Sequence, residues 1–241
     1  PADYGLLSIA AGFLAIATVA NEMGMEAALV QRPRLEPGLP GQVFGFVICT
    51  NLVLFASIFL AAPVVAVFYA EPLLEDLVRV LALNHLLLPL LVVPRAMLER
   101  AMDFRRLGLA SLVSAICGST TTLMLALSGA GVWSLAWGMI VETVIAALAL
   151  VLAAGGLPKP RFDFRGLFSV VSFGAAVMAD RILWSVQMQI DSLILGKVLG
   201  KEATGVYYVA KDLAWMPMRK IASIINPVAF AGYSRANEAG G

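Results

Sequence analysis

Histidine occurs once in this chain, at His85, and cysteine twice, at Cys49 and Cys117. All three fall inside apolar runs, where a thiol behaves as a small hydrophobe. A metal centre needs several ligands at defined spacing, and no such set is visible, so neither a metal site nor a disulfide is expected. His85, beside Asn84, reads as a packing or hydrogen-bonding residue. Charge is also scarce. Only 14% of the residues are charged against 60% hydrophobic, whereas soluble domains carry about 25% and about 45–50%. A formal net charge of +1 gives no imbalance that would suit nucleic acid as a partner. Water is excluded as the main solvent.

What the chain has instead is long apolar runs, at residues 5–20, 43–68, 77–94, 107–127, 132–154, 168–195 and 204–230. Most approach the roughly 20 residues that a helix needs to cross a bilayer core. Membrane β-strands need only about 9–11 residues and alternate in character; FASIFLAAPVVAVF does neither. The sequence therefore predicts an all-α polytopic membrane helix bundle with seven spans, each closing its own backbone hydrogen bonds.

The basic residues orient that bundle. Arg32 and Arg34, then Arg95, Arg100, Arg105 and Arg106, then Lys159, Arg161 and Arg165, and finally Arg235 occupy alternate connections. The intervening ones are acidic (AEPLLED, 70–76), uncharged (SGAG, 128–131) or balanced (GKEATG, 200–205). By the positive-inside rule the first set is cytoplasmic. Within it, RAMLERAMDFRRL (95–107) reads as a basic amphipathic connection against anionic lipid headgroups.

GGLPKPRFDFR, with its glycines, prolines and basic residues, reads as a cytoplasmic linker over 155–167. It divides a first lobe, 1–154, from the start of a second, 168–241. A short repeat supports the division: EATGVYYVA at 202–210 echoes ADYGLLSIA at 2–10, with Gly5 and Ala10 matching Gly205 and Ala210. Repeated halves are common in secondary transporters, which bind at the interface between them. Beginning at PADYGLLSIA and stopping just after an apolar run, the chain reads as a fragment with residue 1 in an extracytoplasmic turn.

The charges that remain are placed with order. At about 100° per residue, Asp180, Trp184, Gln187 and Asp191 share one helical stripe, with Arg181, Ser185 and Ser192 on the adjoining one. In the last run Tyr208, Lys211, Asp212, Trp215, Arg219, Ser223 and Asn226 cluster likewise. A charge at the bilayer centre costs at least about 2.5–3.5 kcal/mol on insertion scales. These faces either line a hydrated cavity or pair across a lobe interface; Asp191 with Lys197 is one such structural pairing. Elsewhere Asn21, Glu22 and Gly24 interrupt the first run, as a helix break or a helix end, and Glu142 stands alone in the fifth as a proton or cation site or a satisfied acid.

PADYGLLSIA, MGMEAALVQR, DFRRLGLAS, GAGVWSLAWG, KPRFDFRGL, FSVVSFG, QIDSLILGKVLG and GVYYVAKDLAWMP, in that order, resemble the bacterial oligosaccharide flippases of the multidrug/oligosaccharidyl-lipid/polysaccharide exporter superfamily. The likeness is to the Wzx-like lipopolysaccharide and exopolysaccharide biosynthesis proteins in particular, and it covers nearly the whole chain. It implies a fold like that of the multidrug exporters of the superfamily, with a dozen or more spans in two pseudo-symmetric lobes. This chain would hold the second to sixth helices of the first lobe and the first two of the second. The implied activity is to move a polyprenyl-pyrophosphate-linked oligosaccharide across the bacterial inner membrane by alternating access, without a cofactor, alongside membrane lipids and other glycan assembly proteins.

Arg181, Lys211 and Arg219 are then candidates to neutralise the pyrophosphate, with Gln187 and Asn226 lining the cavity. Trp184 and Trp215 would stack on sugars. Asp180, Asp191, Asp212 and Glu142 would hold the cations or take up a coupling H+ or Na+. A cation-coupled multidrug antiporter would want a more acidic cavity; a peptidoglycan lipid precursor flippase differs only in headgroup. A glycan polymerase or ligase would need a larger extracytoplasmic segment and a catalytic set, and no such set is seen.

Overall fold

The computed structural model describes residues 2–21, 29–30, 36, 38–164 and 168–218, and for 16–21 and 168–182 the backbone only. Among the described residues there is no strand. The helices are α1 (Ala2–Asn21), α2 (Leu39–Tyr69), α3 (Leu73–Ala82), α4 (Asn84–Leu87), α5 (Pro89–Arg100), α6 (Phe104–Leu127), α7 (Val132–Ala153), α8 (Phe168–Val198) and α9 (200–218).

Three of them, α2, α6 and α7, are long and apolar enough to cross a membrane. They cover the runs expected at 43–68, 107–127 and 132–154. The run at 77–94 is not one straight helix. It lies within α3, α4 and α5, which together qualify as a span bent by 41°. Pro89 and Pro94 each remove a backbone donor there. The runs at 5–20 and 168–195 fall within α1 and α8, and that at 204–230 is described only as far as residue 218.

Large apolar side chains point outward on the candidate spans. Leu60, Val67, Leu127 and Leu152 are all exposed. Such surfaces suit lipid, and lipid tails supply no hydrophobic drive for helices to associate, so close contact falls to small residues. The crossing of α6 with α7 follows that rule. The buried face of α6 is Ala110, Ser114 and Gly118; a Cβ at Gly118 would come within 2.7 Å of the Glu142 Cβ. Thr122, one turn on, donates to the Gly118 carbonyl at 3.0 Å.

The main buried cluster joins Leu6, Ile9 and Ala10 of α1 to Ala62 and Ala66 of α2, Leu74, Leu77 and Leu81 of α3, and Ala136 of α7. A second joins Val43, Phe44 and Val47 of α2 to Val93 and Ala96 of α5. His85 is buried with its Nδ1 3.4 Å from Asn51 Oδ1.

The stretch 95–107 departs from its reading as one amphipathic connection. α5 runs to Arg100, a turn passes through Met102 at φ 57, and α6 starts at Phe104. Two of its arginines reach the ends of other segments. Arg100 donates to the Leu29 carbonyl at 3.2 Å, and Arg106 to that of Ala153, at the end of α7, at 3.2 Å. A cation at the last carbonyls of a helix is favourably placed against its dipole. The following segment lies along α2. Arg161 N donates to the Gly41 carbonyl at 2.8 Å, and side chains at Gly41 and Gly45 would overlap the backbone of Lys159 and Arg161.

α8 packs on α1, and a turn at Leu199 and Gly200 reverses the chain into α9. Gly5 and Gly205, matched in the repeat, meet here: a Cβ at Gly5 would lie 3.0 Å from Gly205 N.

Candidate functional site

Polar residues on facing stripes of α8 and α9 enclose a recess of about 290 Å³, lined by Trp184, Met188, Gln189 and Ser192 from α8 and by Tyr208, Lys211, Asp212 and Trp215 from α9. The spacing explains the wall. Residues 184, 188 and 192 repeat every fourth position, as do 208, 212 and, one turn on from 211, 215, so each helix presents one face.

Lys211 is the fixed cation of this recess. Its Nζ donates to the Met188 carbonyl at 2.7 Å and to Asp191 Oδ2 at 3.2 Å. Tyr207 donates to the same carboxylate oxygen at 2.9 Å, and its ring centroid lies 5.7 Å from Nζ. The lysine side chain is 20% exposed and that of Asp191 47%. Both side chains of the pair are thus accessible at the recess, the lysine less than the aspartate. Trp184 and Trp215 remain exposed at the recess, free to offer ring faces. Asp212 also lines it. A space of this size is slightly below the about 300–1,000 Å³ of pockets that enclose a drug-sized ligand, so it suits one sugar ring or phosphate group.

Two details differ from the helical-wheel reading. Gln189, not Gln187, lines the recess, while Gln187 is exposed away from it. The wheel ranks polar residues alone, whereas packing of Leu193 and Gln189 against Gly12 of α1 sets the rotation of α8. Asp191 pairs with Lys211 rather than Lys197. The latter donates instead to the Phe68 carbonyl. Tyr207 lies beside the predicted stripe, which carries its neighbour Tyr208; the pair of tyrosines is the signal the sequence offers for it.

Glu142 is not part of this recess. It lies in a separate groove of about 620 Å³ between α5, α6 and α7, with Arg95, Glu99, Ser111, Ser114 and Thr143 in the walls. Arg95 there is already paired to Glu99 at 3.1 Å. The side chains of Asp180 and Arg181, and residues Arg219, Asn226, Glu22 and Gly24, lie outside the described residues. Among the described residues no cluster of His, Cys, Asp and Glu has the makings of a metal site.

Comparison with known proteins places this geometry in context. The family model described as "Polysaccharide biosynthesis protein" matches residues 1–240. Among curated proteins, the teichuronic acid biosynthesis protein TuaB of Bacillus subtilis is 28% identical over 229 residues, 91% of this chain and 46% of that protein. The lipopolysaccharide biosynthesis protein WzxC of Escherichia coli is 23% identical, over 98% of this chain and 48% of its own length. The succinoglycan biosynthesis transport protein ExoT of Rhizobium meliloti is 24% identical over the same shares. The chain thus spans about half the length of these relatives. No solved structure matches it.

Proposed function

Since the chain belongs to the polysaccharide biosynthesis protein family, we propose that the protein it comes from is a Wzx-like flippase, which carries a polyprenyl-pyrophosphate-linked oligosaccharide across the bacterial inner membrane by alternating access. In this reading the chain crosses the membrane seven times with its arginine-rich connections in the cytoplasm. Residues 1–154 belong to one lobe, 155–167 link it to the next, and 168–241 begin the second, as in the wider exporter superfamily. The contact of the repeat's two glycines, Gly5 and Gly205, supports a pseudo-symmetric lobe interface at that point.

The observation that carries the proposal is the recess itself, an accessible ammonium flanked by two tryptophans and set between two helices that begin the second lobe. A pyrophosphate must give up hydration as it crosses, and charge-assisted bonds to Lys211 compensate for that. Indole faces bind the apolar faces of sugar rings without demanding one sequence of sugars. The names of the relatives, which speak of teichuronic acid, lipopolysaccharide and succinoglycan, fit a carrier that recognises the lipid-pyrophosphate end and tolerates varied glycans. No step here makes or breaks a covalent bond. Coupling to H+ or Na+ falls to Asp191 and Asp212, with Glu142 as a separate candidate.

The test is complementation of a flippase-deficient strain by the full-length protein at matched membrane levels. Wild type restores surface glycan. Lys211→Ala reduces it about tenfold or more, the equivalent of losing one charge-assisted contact of about 1.5–3 kcal/mol. Failure of the wild-type protein to restore any glycan overturns the flippase reading; full restoration by Lys211→Ala removes the recess from the transport path.

A further inference from the structure

We propose that the end of α2 and the tip of the α8–α9 hairpin form an extracytoplasmic gate, latched by the Glu71–Lys201 ion pair. The inference rests on the flippase reading above. Three polar contacts join the four residues 68–71 to the hairpin between 193 and 201. Lys201 Nζ lies 2.9 Å from each oxygen of Glu71. Tyr69 donates its hydroxyl to the Leu193 carbonyl at 3.0 Å. Lys197 donates to the Phe68 carbonyl and stands 4.5 Å over the Phe68 ring.

Their chemistry suits a joint that opens. Phe68 supplies one of the last carbonyls of α2, which have no partner within the helix, so Lys197 caps α2 from the other lobe. The Lys201 and Glu71 side chains are 38% and 27% exposed, and such a half-solvated pair exchanges readily for water. Beneath the polar contacts the fit is dry and close. Gly196 admits Ile9 and Tyr69, for a Cβ there would stand 2.6 Å from Ile9 Cδ1. Gly5 lies against the backbone of Lys201. The tie therefore holds by shape when shut, while little charge must be stripped of water to undo it.

Its position gives it a task. Ser192, in the wall of the recess, is next to Leu193 of the joint, and Lys197 follows five residues on, about 7.5 Å along a helix. On the orientation set by the basic connections, the joint stands between the recess and the extracytoplasmic side. A glycan loaded from the cytoplasm is released only after residues 68–71 part from the hairpin.

The experiment uses the full-length protein freed of native cysteines, Cys49 and Cys117 included. In the first arm Ser192→Cys reports access to the recess through a membrane-impermeant thiol reagent added outside the cell membrane. Glu71→Gln raises the labelling rate severalfold, and the exchanged pair Glu71→Lys with Lys201→Glu brings it back toward that of the parent. In the second arm Glu71→Cys with Lys201→Cys is bridged by a short thiol-specific crosslinker; surface glycan falls to background and returns on reduction. An unchanged labelling rate in Glu71→Gln, or undiminished export through fully bridged protein, overturns the gate. If the full-length protein with Ser192 and its native cysteines intact moves no glycan yet the labelling responds as stated, the gate stands and the flippase reading fails.

Discussion

Lys211 shows how much a single residue's surroundings decide. Its neighbours in sequence reveal a polar stripe; only the fold shows its ammonium held by Asp191 and by the Met188 carbonyl, with Tyr207 bracing the carboxylate. In the hydrated recess proposed above, their mutual attraction contributes no more than about 1 kcal/mol. A double-mutant cycle with Asp191→Asn and Lys211→Met, read from thermal unfolding in detergent, therefore yields a coupling of about 1 kcal/mol or less. A coupling above about 3 kcal/mol would mark a structural pair and contradict the transport role. The stripe on α9 was legible in the sequence because polar residues in an apolar run have few alternatives to a shared wet face. The rotation of α8 was not, since Gln187 and Gln189 are chemically identical and differ only in what α1 packs against.

At the scale of elements, the α6–α7 pair rests on small residues, and two glycines of α6 play opposite parts. A Cβ at Gly108 meets nothing within 4 Å, while one at Gly118 meets Glu142 Cβ at 2.7 Å and the Gly138 carbonyl at 3.1 Å. Gly108→Ala gains helix propensity, about 0.5–1 kcal/mol, and raises the unfolding temperature in detergent. Gly118→Ala makes the same local gain but forces the helices apart, at about 1–3 kcal/mol for overpacking, and lowers it. Equal shifts from both would show that the crossing is looser than described. The apolar runs gave helix positions well, because hydrocarbon leaves a span few other forms. They did not give the bend between α3 and α5 or the end of α5 at Arg100, where prolines and a left-handed Met102 act through backbone geometry that hydropathy ignores.

For the whole molecule, the alternation of basic and non-basic connections makes a topological prediction. In a cysteine-free full-length background, Ser128→Cys reacts with an impermeant thiol reagent in intact spheroplasts, and Leu157→Cys reacts only after permeabilisation. The reverse pattern would invert the bundle and place the latch on the wrong side. A nine-residue echo put Gly5 and Gly205 in register, and the fold brings those glycines against each other.

Sequence alone determined the solvent, the helical class and the existence of polar faces on the last two helices, because each follows from the cost of exposing backbone or charge to hydrocarbon, a cost set locally along the chain. Tertiary structure decided which of those polar groups share a space. It drew Lys211 to Asp191, set Glu142 in a groove of its own, and gave Lys197 and Lys201 to residues of α2 and its following turn, more than 120 positions away. Contacts at that separation depend on how helices rotate and cross, and in a membrane the small residues that govern the crossing carry no hydropathy signal of their own.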